Sequence, residues 1–259
     1  MKIFVITGSR AEYGLLKNLI IKLKKDKFFN CKVIVTGSHL SNDFGYTLKE
    51  IIEDKIKIHK KINLNIKSDN PVNIGMSSGE GIIKFSKLFK SDKPDLLMVL
   101  GDRYEIISAC LAGTFFRIPI AHIHGGESTE GLIDEAMRHS ITKMSHIHFV
   151  STQKYKKKVI QLGEKPSSVH LVGALGIEGI KKNDYLSRME LKKKLGISFN
   201  RYNLLTTFHP VTLEDNTSKK QFQNILTALR KFKDANIFFT KTNSDTNGRI
   251  INKLIDKFI

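Results

Sequence analysis

Residues 121–150, AHIHGGESTEGLIDEAMRHSITKMSHIHFV, gather five histidines, four carboxylates and an arginine. Two kinds of chemistry draw on such a set. His122 and His124, two apart in an apolar run, would share one face of an extended strand. They could then grip a metal, with Glu127, Asp134 or His139 as a third ligand. The same carboxylates and imidazoles could instead move protons, their affinities tuned by burial. The plain alternative is one core histidine, one histidine tied to a loop, and a set of surface ion pairs. Asp134, Glu135, Arg138 and His139 lie within two helical turns. Helical spacing brings Asp134 near Arg138, and Glu135 near both Arg138 and His139. There they are either weak ion pairs or carboxylates aimed at a substrate. The second H-x-H, His146 and His148, is followed by no acidic turn and is expected to serve packing.

Other candidates follow other apolar runs. Arg10 lies in TGSRAEYG, where a helix start and a guanidinium suit a phosphate. Neither a G-x-G-x-x-G nor a Walker pattern occurs. GDRYE supplies Asp102 and Arg103 directly after DLLMVL; a charge there is costly unless paired, and Asp102 is the neighbouring partner. His39 follows the second run, His209 follows NLLTTF, and Asn243 with Asp245 follows NIFFTKT.

These residues converge only if the elements do. KIFVIT (2–7), CKVIVTG (31–37), DLLMVLG (95–101), RIPIAHIHGG (117–126), HIHFVST (146–152) and SVHLVGA (168–174) read as strands, with a further extended segment near 56–64. Helical periodicity falls at 13–25, 44–53, 79–89, 103–115, within 131–144 and at 153–162. Strand and helix alternate, which predicts a parallel, doubly wound α/β sheet whose strand ends carry the ligand site. A boundary is expected near 175–184. Beyond it two strand–helix pairs follow: 202–210 with 219–232, and 236–242 with 247–258. Residues 63–81 are the best loop candidate.

Composition sets the frame. The chain has 259 residues, 41% hydrophobic and 26% charged, as in an ordinary globular protein. The formal net charge of +18 would suit a nucleic acid or membrane, or a lysine-rich surface around an anion site. The lysines are dispersed and aromatics are not interleaved with them, so no nucleic-acid partner is expected. No apolar stretch approaches the roughly 20 residues of a membrane span, and the N-terminus lacks a signal-peptide pattern. Cys31 and Cys110 are expected to be buried thiols in a reducing, cytoplasmic setting.

The ordered motifs TGSRAEYG (7–14), GDRYE (101–105), HIHGGE (122–127), DEAMRHSITKMSH (134–146), VIQLGE (159–164) and FHP (208–210) resemble the hydrolysing UDP-N-acetylglucosamine 2-epimerases. The branch is that of bacterial sialic-acid and legionaminic-acid synthesis. The resemblance implies a glycosyltransferase-B-like architecture, two Rossmann-like domains, here 1–175 and 176–259. It implies loss of UDP by anti-elimination to a 2-acetamidoglucal. Water then adds at C1 and a proton returns to C2 on the opposite face, giving N-acetylmannosamine. No cofactor and no obligatory metal is implied, and homo-oligomers, dimers or tetramers, are. The family's acids fall on Asp102 and Asp134 and its histidine on His209. Arg10, Arg103 and Asn243 match positions that hold UDP. Glu127 belongs to the shared GGE and is expected to be catalytic or sugar-contacting, with Arg138 and His139 in support. Related enzymes carry glutamate where this chain has His124, so which group is the base at C2 stays open. Relatives continue for about a hundred residues more, with a G-N-S-S-x-G-like loop that grips the nucleotide. None is found here, so the second domain is expected to be incomplete, which also leaves an inactive nucleotide-sugar binder as an alternative. The loop at 68–81 somewhat resembles the subgroup acting on UDP-2,4-diacetamido-2,4,6-trideoxyglucose.

Overall fold

A computed structural model describes residues 1–259 except 66, 67, 69, 131, 183, 184, 212, 215, 216 and 243–246, with backbone only at 181 and 182. The chain divides into two compact units, Met1–Lys181 and Lys182–Ile259.

Unit one is built on seven strands: β1 (Lys2–Thr7), β2 (Asn30–Thr36), β3 (Ile58–Ile62), β4 (Leu96–Leu100), β5 (Ile120–Ile123), β6 (Ile147–Val150) and β7 (Val169–Leu171). They pair in parallel in the order β3-β2-β1-β4-β5-β6-β7. Both faces are covered, which is why LLMVL is apolar at every position and wholly buried. Phe4 and Ile6 pack on one side with Phe85, Ile106, Cys110 and Ile141. Ile3 and Val5, one register step away, pack on the other with Leu16, Ile20, Leu48 and Ile51. These partners come from α1 (Arg10–Lys25), α2 (Leu48–Glu53), α3 (Pro71–Ser91), α4 (Tyr104–Phe115) and α5 (Asp134–Met144). Two further helices, α6 (Gln153–Gln161) and α7 (Leu175–Lys182), complete the series. Both cysteines are free and buried, as expected from their surroundings.

Three local expectations are corrected. α3 starts at Pro71, well before 79, and takes up much of the expected loop. Asn70 caps it by accepting from the Asn73 N–H, and proline at the first position costs no hydrogen bond. Residues 37–40 and 42–44 form single 3-10 turns, so α2 begins only at Leu48. A helix not foreseen, α8 (Arg188–Leu195), carries a Ser187/Glu190 capping box and a left-handed Gly196 stop.

Unit two contains a parallel pair, β8 (Tyr202–Thr206) and β9 (Ala235–Phe239), with α9 (Ser218–Leu229) and α10 (Gly248–Phe258). Phe222, Leu226, Ile251 and Ile255 form its core with Leu204 and Ile237. Among the described residues no helix is long and apolar enough to cross a membrane.

Candidate active site

The chain order reverses between β1 and β4, the switch point at which an open parallel sheet leaves room for a ligand beyond its carboxyl ends. Arg10 follows β1, Asp102 and Arg103 follow β4, and His124 with Glu127 follows β5. Asp134 is the first residue of α5, where a carboxylate meets the positive end of the helix. The fold therefore places Arg10, Asp102, Arg103, His124 and Glu127 after neighbouring strand ends of unit one, and Asp134 at the start of α5. His209, exposed, follows β8 in unit two. Asn243, together with Asp245, lies outside the described residues.

Asp102 and Arg138 form the central ion pair, the Arg138 Nη2 donating to Asp102 Oδ2 across 36 residues. Arg138 Nη1 donates to the Thr129 hydroxyl at 3.2 Å. Burial works against the Arg138 charge, and a fixed carboxylate offsets that cost. Arg138 is thus tied to the β4 end rather than to its α5 neighbours, whereas the expected approach of Glu135 to His139 is present. Arg103 turns instead to Glu105, its Nε 2.7 Å from Oε1. Glu135 takes the Thr129 N–H at 2.9 Å and the Lys158 ammonium at 3.2 Å, and lies 3.4 Å from His139 Nε2. The Lys158 hydrogen bond leads in holding its carboxyl below the usual range. Arg10 is exposed at the start of α1 and rests on Glu50 at 2.8 Å.

His122 and His124 do not share a face. β5 ends at Ile123, and His124 adopts the left-handed region at φ 64°. His122 is fully buried, with Nε2 2.8 Å from the Gly101 carbonyl and Nδ1 3.2 Å from the Thr142 hydroxyl. Burial lowers its pKa to about 4, so it is neutral at pH 7 and both ring nitrogens are engaged. His124 Nδ1 lies 3.5 Å from Glu127 Oε1, which also accepts from the Ser151 hydroxyl at 2.6 Å. Among the described residues no three or more His, Cys, Asp or Glu side chains converge as metal ligands. His148 is buried and pairs with Glu164 at 3.2 Å, in keeping with packing. His146 is exposed and accepts the Ile120 N–H at 3.3 Å, so it closes the start of β5 rather than serving the expected packing. His39 is a strut: buried, it spans Thr7 at 3.0 Å and Thr47 at 2.8 Å, and burial lowers its pKa to about 4.

The sequence reading passed over Ser151, Thr129, Lys158 and Glu105. The first three are hydroxyl and ammonium groups whose partners lie nine or more residues away. Glu105 had a signal, a carboxylate inside an apolar helix.

The UDP-N-acetylglucosamine 2-epimerase family matches residues 21–258. The Campylobacter jejuni GDP/UDP-N,N'-diacetylbacillosamine 2-epimerase (hydrolyzing) is 40% identical over 257 residues, 99% of this chain and 67% of that protein. Polysialic acid biosynthesis protein P7 of Escherichia coli is 40% identical over 258 residues, 99% of this chain and 66% of its own length. The chain thus spans about two thirds of the relatives it matches. The structure of Methanocaldococcus jannaschii UDP-GlcNAc 2-epimerase with UDP-GlcNAc and UDP superposes with a TM-score of 0.78 at 22% identity, over 99% of this chain and 70% of that one. The α/β fold is the glycosyltransferase-B-like one of such structures. On a match through residues 21–258 and 40% identity along nearly the whole chain, this protein belongs to the UDP-N-acetylglucosamine 2-epimerase family.

Proposed function

We propose that the protein acts on UDP-N-acetylglucosamine, releasing UDP and N-acetylmannosamine by elimination and hydration. The observation that carries this reading is the set of acids that follow β4 and β5: Asp102 paired to Arg138, Glu127 held by Ser151, and, further on, Asp134 at the α5 N-terminus. Breaking the C1–O bond while a proton leaves C2 needs a base at C2 and cations for the departing diphosphate. Arg10 and Arg103 serve the diphosphate in this reading. Asp102, Glu127 and Asp134, with the His124 imidazole beside Glu127, supply proton traffic on the two faces of C2. His209 assists catalysis and Asn243 UDP binding in this reading. The donor set calls on no cofactor.

A second reading is favoured by the Campylobacter jejuni relative. N,N'-diacetylbacillosamine is a 2,4-diacetamido-2,4,6-trideoxyglucose, so the same C2 chemistry would run on a sugar with a second acetamido group. NMR of reactions with each UDP-sugar, read for the 2-epimer and UDP, separates the two. Turnover of UDP-N-acetylglucosamine at the higher kcat/KM is the expected result, with activity surviving a chelator. Preference for the diacetamido sugar favours the second reading. UDP binding without product from either would leave a nucleotide-sugar binder. His209→Ala is expected to raise KM and lower kcat by about 10-fold or more each, the loss typical of a group that both binds and assists. Unchanged kinetics would remove His209 from the site.

A further inference from the structure

Three charged side chains are buried together beneath the loop that follows β1. Glu12, on α1, is 5% exposed; Arg103 is 9% and Glu105, on α4, 0% exposed. Glu12 Oε2 accepts the Gly8 N–H at 2.6 Å and the Ser9 N–H at 3.2 Å. Its other oxygen, Oε1, is buried with no hydrogen-bond partner among the described residues. Glu105 Oε1 accepts from Arg103 Nε, and its other oxygen, Oε2, is likewise buried and unpartnered. The two carboxyls meet around Gly8. One takes its N–H, and the other stands where its Cβ would be, Cγ at 2.5 Å. Glu105 Oε1 also lies 2.5 Å from where a Gly37 Cβ would sit, so this side chain is wedged between the β1 and β2 loops.

Two carboxylates against one guanidinium would leave an uncompensated negative charge out of water, at a cost that proteins avoid by protonation. A carboxylate only accepts, whereas a carboxylic acid also donates one hydrogen bond. A proton on Glu12 would remove one of the two buried negative charges and leave Glu105 as the anion that Arg103 neutralises. We infer that Glu12 and Glu105 hold one proton between them and are positioning residues, Glu12 for the Gly8–Ser9 turn and Glu105 for Arg103, the guanidinium that meets the diphosphate of the nucleotide. The diphosphate part rests on the function proposed above; the proton does not.

Electrostatics agree with the geometry. Burial, then the Glu105 charge, push the Glu12 carboxyl up to about 8, with Arg103 and the Gly8 and Ser9 amides pulling the other way. His39, which faces the group from the β2 loop, is held neutral by burial and adds no cation. Because the folded value lies above the ordinary 4.5, the stability linked to the protonated form is complete below pH 4.5. It declines as pH rises and is gone above about 8.

The full chain is tested with Glu12→Gln, whose amide oxygen can accept from Gly8 and Ser9 and which stays neutral at every pH. Infrared difference spectra at pH 6, wild type against Glu12→Gln, should show one protonated-carboxyl band lost in the variant; wild type should lose it near pH 8. Calorimetry with UDP should show wild-type affinity falling by up to about tenfold per pH unit above 8, and the fall should be absent in the variant. Glu105→Gln, which removes the Arg103 counterion, should weaken UDP about 10- to 100-fold at pH 7. No protonated band at pH 6, or the same pH dependence in Glu12→Gln as in wild type, overturns the inference. A band that behaves as expected in a protein that binds no UDP at any pH would sink the functional reading and still support the shared proton.

Discussion

Asp102→Asn is expected to lower kcat by about 10²–10⁴-fold, the range lost with a positioned acid–base group. The substitution keeps the shape of the side chain and an oxygen for the Arg138 guanidinium, but removes the charge and the capacity to take a proton. Arg138 then sits largely buried without its counterion, with Nε already lacking a partner among the described residues. Removing one member of a charge-assisted pair costs about 1–3 kcal/mol, so the variant should fold while nearly losing turnover. UDP release gives kcat, and urea unfolding gives stability. A kcat within threefold of wild type would mean that Asp102 only neutralises Arg138. Pairing it with Arg138→Gln separates the two roles. If neutralisation is its whole task, the double variant recovers what Asp102→Asn loses; if Asp102 handles a proton, it does not. Asp134→Asn should show a similar loss with less effect on stability, since Asp134 is only partly buried at the helix start.

What the sequence could reveal of this arrangement depended on the range of the interaction. DLLMVLG is legible because a strand covered on both faces must be apolar throughout, and the turn after it must then carry what the sheet presents. Arg138 and Asp102 were both visible as candidates, yet their pairing was not. Helical spacing reports neighbours three and four residues away, and the partner is 36 away. His124 shows a second limit. Alternation assigns it to the face of His122 only if the strand continues, and the left-handed turn at His124 ends it. The residues 63–81 read as a loop because glycines, serines and asparagines dilute the helical pattern. The Asn70–Pro71 start of α3 is the local signal that outweighs them. Glu105 was hidden by its neighbours: in GDRYE the two charges at the strand end drew the chemistry, while the third was turned inward beneath them.

The paired glycine of HIHGGE bears on the second large effect, since it decides where Glu127 points. Gly126 has φ 78°, in the left-handed region, and a Cβ there would lie 2.7 Å from Val159 Cγ2 and 2.9 Å from the Tyr155 carbonyl oxygen of α6. Gly126→Ala therefore meets two costs together, about 1–2 kcal/mol for a left-handed L-residue and about 1–3 kcal/mol for overpacking against a helix backbone that cannot turn aside. We expect a loss of about 2–4 kcal/mol in urea unfolding, the sum of those ranges taken conservatively. Gly14→Ala, exposed on α1 with open space around it, should be neutral or gain up to about 1 kcal/mol. The consequence for activity separates two views of the motif. If the loop escapes the clash by moving off α6, Glu127 leaves the Ser151 hydroxyl, and kcat should fall by at least about tenfold in protein that is still folded. If folded Gly126→Ala retains full kcat, the glycine pair serves only to let the chain pass α6. Glu127 then owes its place to Ser151 and His124 rather than to the turn, and Ser151→Ala becomes the variant that must disable it.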